Sequence, residues 1–209
     1  MRKYITVLLL CLSLVPITAC DTKTITCEDG YENVDGQCEW IRTDFEQKID
    51  NTTALKNYTL TITVTLGDET SVMTIKFEDT KSSIAYGHVL EYFSETSDKL
   101  YHYEQTLEGY SKTEVTKNSL DIYHFYQGLF EQDFTVVNGK YLLNYGTYEH
   151  LTTFAESFDD DATYENVTLS VGEQFISEIK LDIRNDDQVY KLTMVLSDYN
   201  QTEVEVPTV

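Results

Sequence analysis

Between Asn57 and Leu66 the chain alternates without a break: Tyr58, Leu60, Ile62, Val64 and Leu66 interleave with Thr59, Thr61, Thr63 and Thr65. Successive side chains of a strand point to opposite faces, so this period of two gives one apolar face and one threonine face. A helix would scatter the same residues around its circumference. The segment is therefore a strand, and its apolar face demands a cover. Gly67-Asp68 supplies a turn, and Met73, Ile75 and Phe77 continue the pattern in a second strand. A longer run follows with Ile84, Tyr86, His88, Leu90 and Tyr92 on one side, and residues 100–106 and 110–116 read as further short strands. Turns this short imply meander connectivity.

Helical signals flank and interrupt the strands. Thr43-Asp44-Phe45-Glu46 has Thr followed three residues later by Glu, a capping box, and Phe45 and Ile49 share a helical face, so a short helix spans 43–55. Asn118-Ser119 caps a second helix through Leu120, Tyr123, Gln127 and Phe130. Asn138-Gly139 suits a type I′ turn in a hairpin over 136–142. Residues 147–158 read as helix, with Leu151, Phe154 and Ala155 on one stripe, and Asp159-Asp160-Asp161 reads as a solvated linker. Strands then return at Val167–Val171, at Phe175 to Ile183 and at Tyr190 to Leu196, with Asn185-Asp186-Asp187 as a turn and a final extended segment at 203–206. Apolar alternation on one side needs helices over the apolar face. The expected fold class is α+β: a strongly curved antiparallel sheet, an unclosed half-barrel, with helices covering its concave face.

The N-terminus carries an address. Arg2 and Lys3 precede an apolar run from Ile5 to Ile17, the layout of a secretory signal peptide and short for a bilayer-spanning helix. The run closes on Ile17-Thr18-Ala19-Cys20, which resembles the bacterial lipobox. That resemblance implies a diacylglyceryl group on Cys20 and cleavage after Ala19. Acyl chains contribute about 0.8 kcal/mol per buried CH₂, so two of them make a lasting anchor where one is marginal. The expected division is a signal peptide at 1–19, a lipidated tether at 20–42 and one domain at 43–209, held at the extracytoplasmic face of a bacterial membrane. Cys11 leaves with the leader. Cys27 and Cys38 remain, separated by two turn signals, Asp29-Gly30 and Asp35-Gly36, so a disulfide-closed hairpin hook is expected in the tether. Zinc would need a third and fourth ligand that the neighbourhood does not offer.

Charge excludes one class of partner. Cleavage would remove Arg2 and Lys3 from 15 basic residues and none from the 36 acidic ones, taking the formal charge from −21 to −23. Such a surface repels nucleic-acid phosphates at long range.

An opening helix leading into Leu55-Lys56-Asn57-Tyr58-Thr59-Leu60, meandering strands, a helical insertion, and the ending Tyr190-Lys191-Leu192-Thr193-Met194-Val195-Leu196-Ser197-Asp198-Tyr199-Asn200 before Val206-Pro207 resemble the LolA/LolB superfamily, which includes the LppX and LprG lipoproteins of mycobacteria. The resemblance covers about residues 43–207. It implies a half-barrel whose apolar concavity, lidded by helices, holds acyl chains. An anchor of its own removes free diffusion between membranes and sets this chain apart from LolA, a soluble shuttle.

The candidate ligand-binding face is drawn from Leu60, Ile62, Val64, Met73, Ile75, Phe77, Leu90, Tyr92, Ile179, Leu181, Ile183, Leu192 and Met194. A lipid or other apolar ligand in that concavity predicts a cavity of several hundred Å³. A surface interaction module for a protein or cell-wall partner predicts instead a filled core and exposed tyrosines. Catalytic, metal and cofactor motifs are not evident: no Gly-x-Ser-x-Gly, P-loop or dinucleotide fingerprint occurs, and His88, His102, His124 and His150 lack metal spacing. His88 reads as a core histidine on the apolar side of its strand. Glu95, Asp98, Glu104 and Glu108 read as solvated surface rather than glycosidase acids. The Asp159–Asp161 run lacks the alternating ligands and glycine of a calcium loop. Of sixteen tyrosines, ten lie between Tyr86 and Tyr148, a concentration suited to a cavity mouth or to stacking on sugars, and equally to ordinary sheet packing.

Overall fold

Asp35 and Gly36 adopt left-handed backbone angles, φ 50° and 87°, as a type I′ hairpin turn requires of both central residues. They join β1 (Tyr31–Val34) to β2 (Gln37–Trp40) in a two-stranded ladder. The computed structural model describes residues 26–28, 30–97, 99–115 and 125–208, and the chain divides into two units, Met1–Ile41 and Arg42–Val209. The expected signal peptide at 1–19 and Cys20 lie outside the described residues. In the first unit the Cys27–Cys38 disulfide closes the hook. Isolated two-stranded hairpins are marginal, and a crosslink over so short a loop contributes roughly 3 kcal/mol. Gly30 lies so close to Trp40 that a Cβ there would sit 2.8 Å from the indole, and Tyr31 meets the same ring edge-on at 5.3 Å.

The second unit opens on α1 (Asp44–Thr53). Its capping box forms as the sequence requires: Glu46 N donates to Thr43 Oγ1 and Thr43 N to Glu46 Oε2, each at 3.2 Å. Glu46 is buried nonetheless, and its other oxygen accepts from Glu131 N. Eleven strands follow: β3 (Asn57–Leu66), β4 (Glu69–Glu78), β5 (Lys81–Tyr86), β6 (Val89–Glu95), β7 (Leu100–Thr106), β8 (Gly109–Val115), β9 (Phe134–Val137), β10 (Lys140–Leu143), β11 (Thr163–Val171), β12 (Ile176–Asn185) and β13 (Gln188–Ser197). Between β10 and β11 comes α2 (Glu149–Glu156). The sheet order is β8-β7-β6-β5-β4-β3-β13-β12-β11-β10-β9, antiparallel throughout. Two meanders thus share one sheet, sewn together where β3 pairs with β13 from Thr59↔Ser197 to Leu66↔Tyr190.

The sheet is neither closed nor strongly curled, and the expected α+β half-barrel is corrected to a mostly β fold, 53% strand and 12% helical. The reason is dimensional. Helices of ten and eight residues span about 15 and 12 Å, whereas eleven strands spread over roughly 48 Å. Two such helices cannot cover the face. They pack where the alternation is richest. Phe45 and Ile49 of α1 and Leu151, Phe154 and Ala155 of α2 share one core with Leu60, Ile75, Leu169, Ile179, Leu181, Ile183, Leu192 and Met194 of the sheet. Phe125, Tyr126 and Leu129 fill the same core from the connecting segment.

Three local readings also change. The long run from Ile84 to Tyr92 is two strands, because Gly87 takes φ 57° and the Gly87-His88 turn reverses the chain between Tyr86 and Val89. Of the helix expected over 118–130, residues 118–124 lie outside the described residues. Residues 125–128 form a turn that ends on left-handed Gly128, and a single 3-10 turn follows at Glu131–Asp133. The threonine face of β3 is not wholly solvated either. The C-terminal segment crosses it, with Thr202 Oγ1 3.0 Å from Thr59 Oγ1 and both residues buried.

Candidate apolar groove

Register sorts the thirteen candidate ligand residues. Residues directly opposed across strands share a face. Leu60, Ile75 and Leu196 stand opposite one another, as do Ile62, Met73 and Met194, and Val64 and Leu192; Phe77 faces Tyr58. Leu181 opposes Leu192, Ile179 opposes Met194, and Ile183 opposes Tyr190, which faces Leu66. Eleven of the thirteen therefore share the core face. Leu90 and Tyr92 do not: they stand opposite Ala85 and Ser83, and Ser83 faces Lys76 and through it Thr59, on the threonine side. The missed hairpin explains this. A two-residue turn reverses the odd–even parity of the inward positions, so Val89 and Glu91 continue the face of Tyr86 and Ile84.

The core-facing set divides again. Leu60, Ile75, Ile179, Leu181 and Ile183 are 0–3% exposed and belong to a filled core, and Phe77 stacks on Tyr58 at 4.6 Å. The others open into a groove. Ile62, Val64, Met73, Leu192 and Met194 line a cavity of about 300 Å³ with Phe154, Ser157 and Phe158 from the end of α2. Its floor is fixed, with Ile62, Leu192 and Met194 at 1–2% exposure, while Phe158 stands 41% exposed at the rim. Phe158 meets Phe154 edge-on at 5.6 Å and Tyr190 at 6.3 Å. Seven of the eight lining side chains are apolar and the eighth, Ser157, donates its hydroxyl to Phe154 O, so the groove can bind by shape and desolvation. Sequence reading assigned Phe154 to the helix stripe and left Phe158 out. Their spacing of four on the 147–158 helix was the available signal.

The remaining candidates are dispersed. His88 sits exposed in the β5–β6 turn, not in a core, because the hairpin puts it at the tip. His102 Nε2 lies 3.0 Å from Glu91 Oε2, with its ring stacked on Phe93 at 4.7 Å. His150 is exposed on α2, and His124 and Asp98 lie outside the described residues. Glu95 and Glu104 share a face of neighbouring strands, while Glu108 occupies the β7–β8 turn. Asp159 accepts a hydrogen bond from Ala162 N at 2.9 Å, which makes the Asp159–Asp161 run a turn. Among the described residues, no group of three His, Cys, Asp or Glu side chains is placed to hold a metal ion. A cleft of about 710 Å³ opens between the Asn144–Thr147 loop and β11, beside a bulge at Asn166 (φ 56°). It is larger than the groove, but more polar and bounded by loop, and no sequence signal pointed there.

The threonine side carries the tyrosines of β6–β8. Burial raises the pKa of the Tyr92 phenol, aided by neighbouring Tyr110 and Glu205. Tyr103 is lowered, first by its hydrogen bond with Ser94 and also by Lys112. Compared with models of known protein families and with curated protein sequences, the chain has no match.

Proposed function

We propose that the protein is a lipid-anchored binding protein of the extracytoplasmic membrane face, and that it takes one apolar chain, such as a lipid acyl chain, into the groove between the sheet and the end of α2. The reading rests on the groove itself, which offers about 300 Å³ of mostly apolar lining over a buried floor. That volume lies at the small end for ligand sites. One chain fits it, beside a filled core. The address rests on the basic, apolar and lipobox segments ending at Cys20. The Cys27–Cys38 disulfide suits an oxidising compartment. No helix among the described residues is long and apolar enough to cross a membrane.

Native mass spectrometry of residues 21–209, purified without detergent, tests the ligand. The expected result is a discrete added mass, extractable as lipid and lost in Val64→Trp, which fills the groove. An unchanged apo mass after incubation with membrane lipids overturns the reading. A second reading, a surface module for a protein or cell-wall partner, draws on the filled core and on Tyr86 and Tyr145, 52% and 108% exposed. It expects Val64→Trp to leave partner binding intact.

A further inference from the structure

We propose that the face of the sheet opposite the apolar groove carries a second binding site, for a neutral glycan, in a trough that ends at Tyr92 and continues onto the tyrosines of β7 and β8. Tyr92, Tyr103 and Lys112 stand directly opposite one another across β6, β7 and β8, and Ser94, Tyr101 and Glu114 form the adjoining row. All six side chains therefore project from one face. The rings of Tyr92 and Tyr110 meet edge to face at 5.7 Å. Lys112 Nζ lies 4.0 Å from the Tyr101 ring centre and 5.4 Å from that of Tyr103. Tyr103 OH is 3.2 Å from Ser94 Oγ. From Tyr92 a trough of about 460 Å³ runs inward over Leu90, Ser83 and Thr74, and the C-terminal segment at Glu203 to Glu205 forms its wall. That wall is fixed: Val204 N donates to Glu78 Oε2 at 2.6 Å, and Thr202 exchanges two hydrogen bonds with the Asn57 side chain at 2.8 Å each.

The chemistry of this surface selects its ligand. A sugar ring has an apolar C–H face and a rim of hydroxyls. Tyrosine answers both, with a flat apolar body, a polar tip and only two torsions to order. Lys76 donates and Glu203 and Glu205 accept within the same trough. One lysine against two glutamates leaves the trough weakly acidic, which disfavours a polyanion. The formal charge of −21 further disfavours anionic polymers. Acyl chains prefer the opposite face, where the lining is apolar. From β4 to β6 the trough crosses two interstrand spacings, about 10 Å, and the tyrosine rows of β7 and β8 continue the same face to about 19 Å, the reach of a short oligosaccharide. Tyr92, Tyr101 and Tyr110 are half-buried, so their rings are held in place yet still accessible.

The site is independent of the groove, so each proposal fails alone. The test is calorimetric titration of the full-length chain, held in a detergent without a sugar headgroup, with three probes: an N-acetylglucosamine hexamer, cellohexaose and polygalacturonate. The expected result is saturable binding of at least one neutral hexamer and none of the polyanion. Tyr92→Ala and Tyr110→Ala should each lose at least tenfold in affinity, Tyr92→Phe less, and Tyr145→Ala nothing, with unaltered melting curves. Failure of both hexamers to bind at millimolar concentration overturns the proposal. So does binding that survives both alanine variants, or polygalacturonate binding as tightly.

Discussion

Both β12 and β6 have a paired strand on each side, yet the first buries Ile176, Ile179, Leu181 and Ile183 to 1% exposure or less while the second buries no residue at all. The half of the sheet around β3, β4 and β11–β13 is covered by α1, α2 and the 125–129 segment. The wing from β5 to β8 has two partly open faces. Pairing alone therefore extends a sheet, but only side-chain cover makes a core. The wing is held by cross-strand contacts such as Phe93–His102 and Ser94–Tyr103, each contributing roughly 0.2–1 kcal/mol. A surface with few buried commitments can carry exposed rings and polar groups for recognition.

The largest expected effect probes that contrast directly. Ile183→Ala removes a side chain at 0% exposure from the core and should cost about 3 kcal/mol. A domain of this size should then melt about 6–12 °C lower. Val89→Ala, at 52% exposure on the wing, should stay within about 0.5 kcal/mol. Thermal melts by circular dichroism decide the matter, and equal losses would mean that the wing shares the core after all. Hydrogen exchange should agree, with amides of β12 and β13 outlasting those of β6 and β7.

A smaller effect concerns the C-terminal segment, which lies on the outer face between the two regions. Asn57 accepts from Thr202 N and donates to Thr202 O, both at 2.8 Å. Asn57→Ala removes both bonds and should cost about 2 kcal/mol. Limited proteolysis should then cut within 203–208 well before the sheet is attacked. An unchanged digestion pattern would show that Val204 burial holds the segment without Asn57.

How much of this was legible in the sequence differs between the same two regions. In the cored half the period of two was unambiguous from Tyr58 to Leu66, the Asn138-Gly139 turn was named by its residues, and Thr43 and Glu46 declared the cap. On the wing the signal failed at Gly87-His88. Polar and apolar residues there alternate on both faces, so no hydrophobic step marked the reversal, and the parity of Leu90 and Tyr92 came out inverted. The curl of the sheet was illegible for a related reason. Alternation shows that a face needs cover, whereas the amount of cover depends on helix length against sheet width. The groove was half legible: five of its walls are strand residues in the candidate set, and the aromatic pair that completes it comes from a helix read as packing.

The smallest expected effect sets one tyrosine of each region against the other in alkali. Burial pushes Tyr199 up to about 12, and its hydroxyl donates toward Ile176 O and Leu196 O at 2.8 and 2.9 Å. The native state favours the neutral phenol. Its contribution is therefore complete below the unfolded value near 10 and is lost as pH rises toward 12. Tyr103 on the wing is lowered, through Ser94 first and then Lys112. The native state favours its phenolate, so that contribution is complete above the unfolded value near 10 and is lost as pH falls through the lowered value. Raising the pH should thus loosen the cored half while the wing tyrosine ionises early and harmlessly. Phenolate absorbance should show an early step that Tyr103→Phe removes and that precedes any loss of circular dichroism. A late step should coincide with unfolding, and Tyr199→Phe should move that midpoint to higher pH, since Phe cannot ionise. A midpoint that Tyr199→Phe leaves in place would put the alkaline weakness elsewhere in the core, with the deeply buried Tyr126, raised further by desolvation, as the next residue to replace.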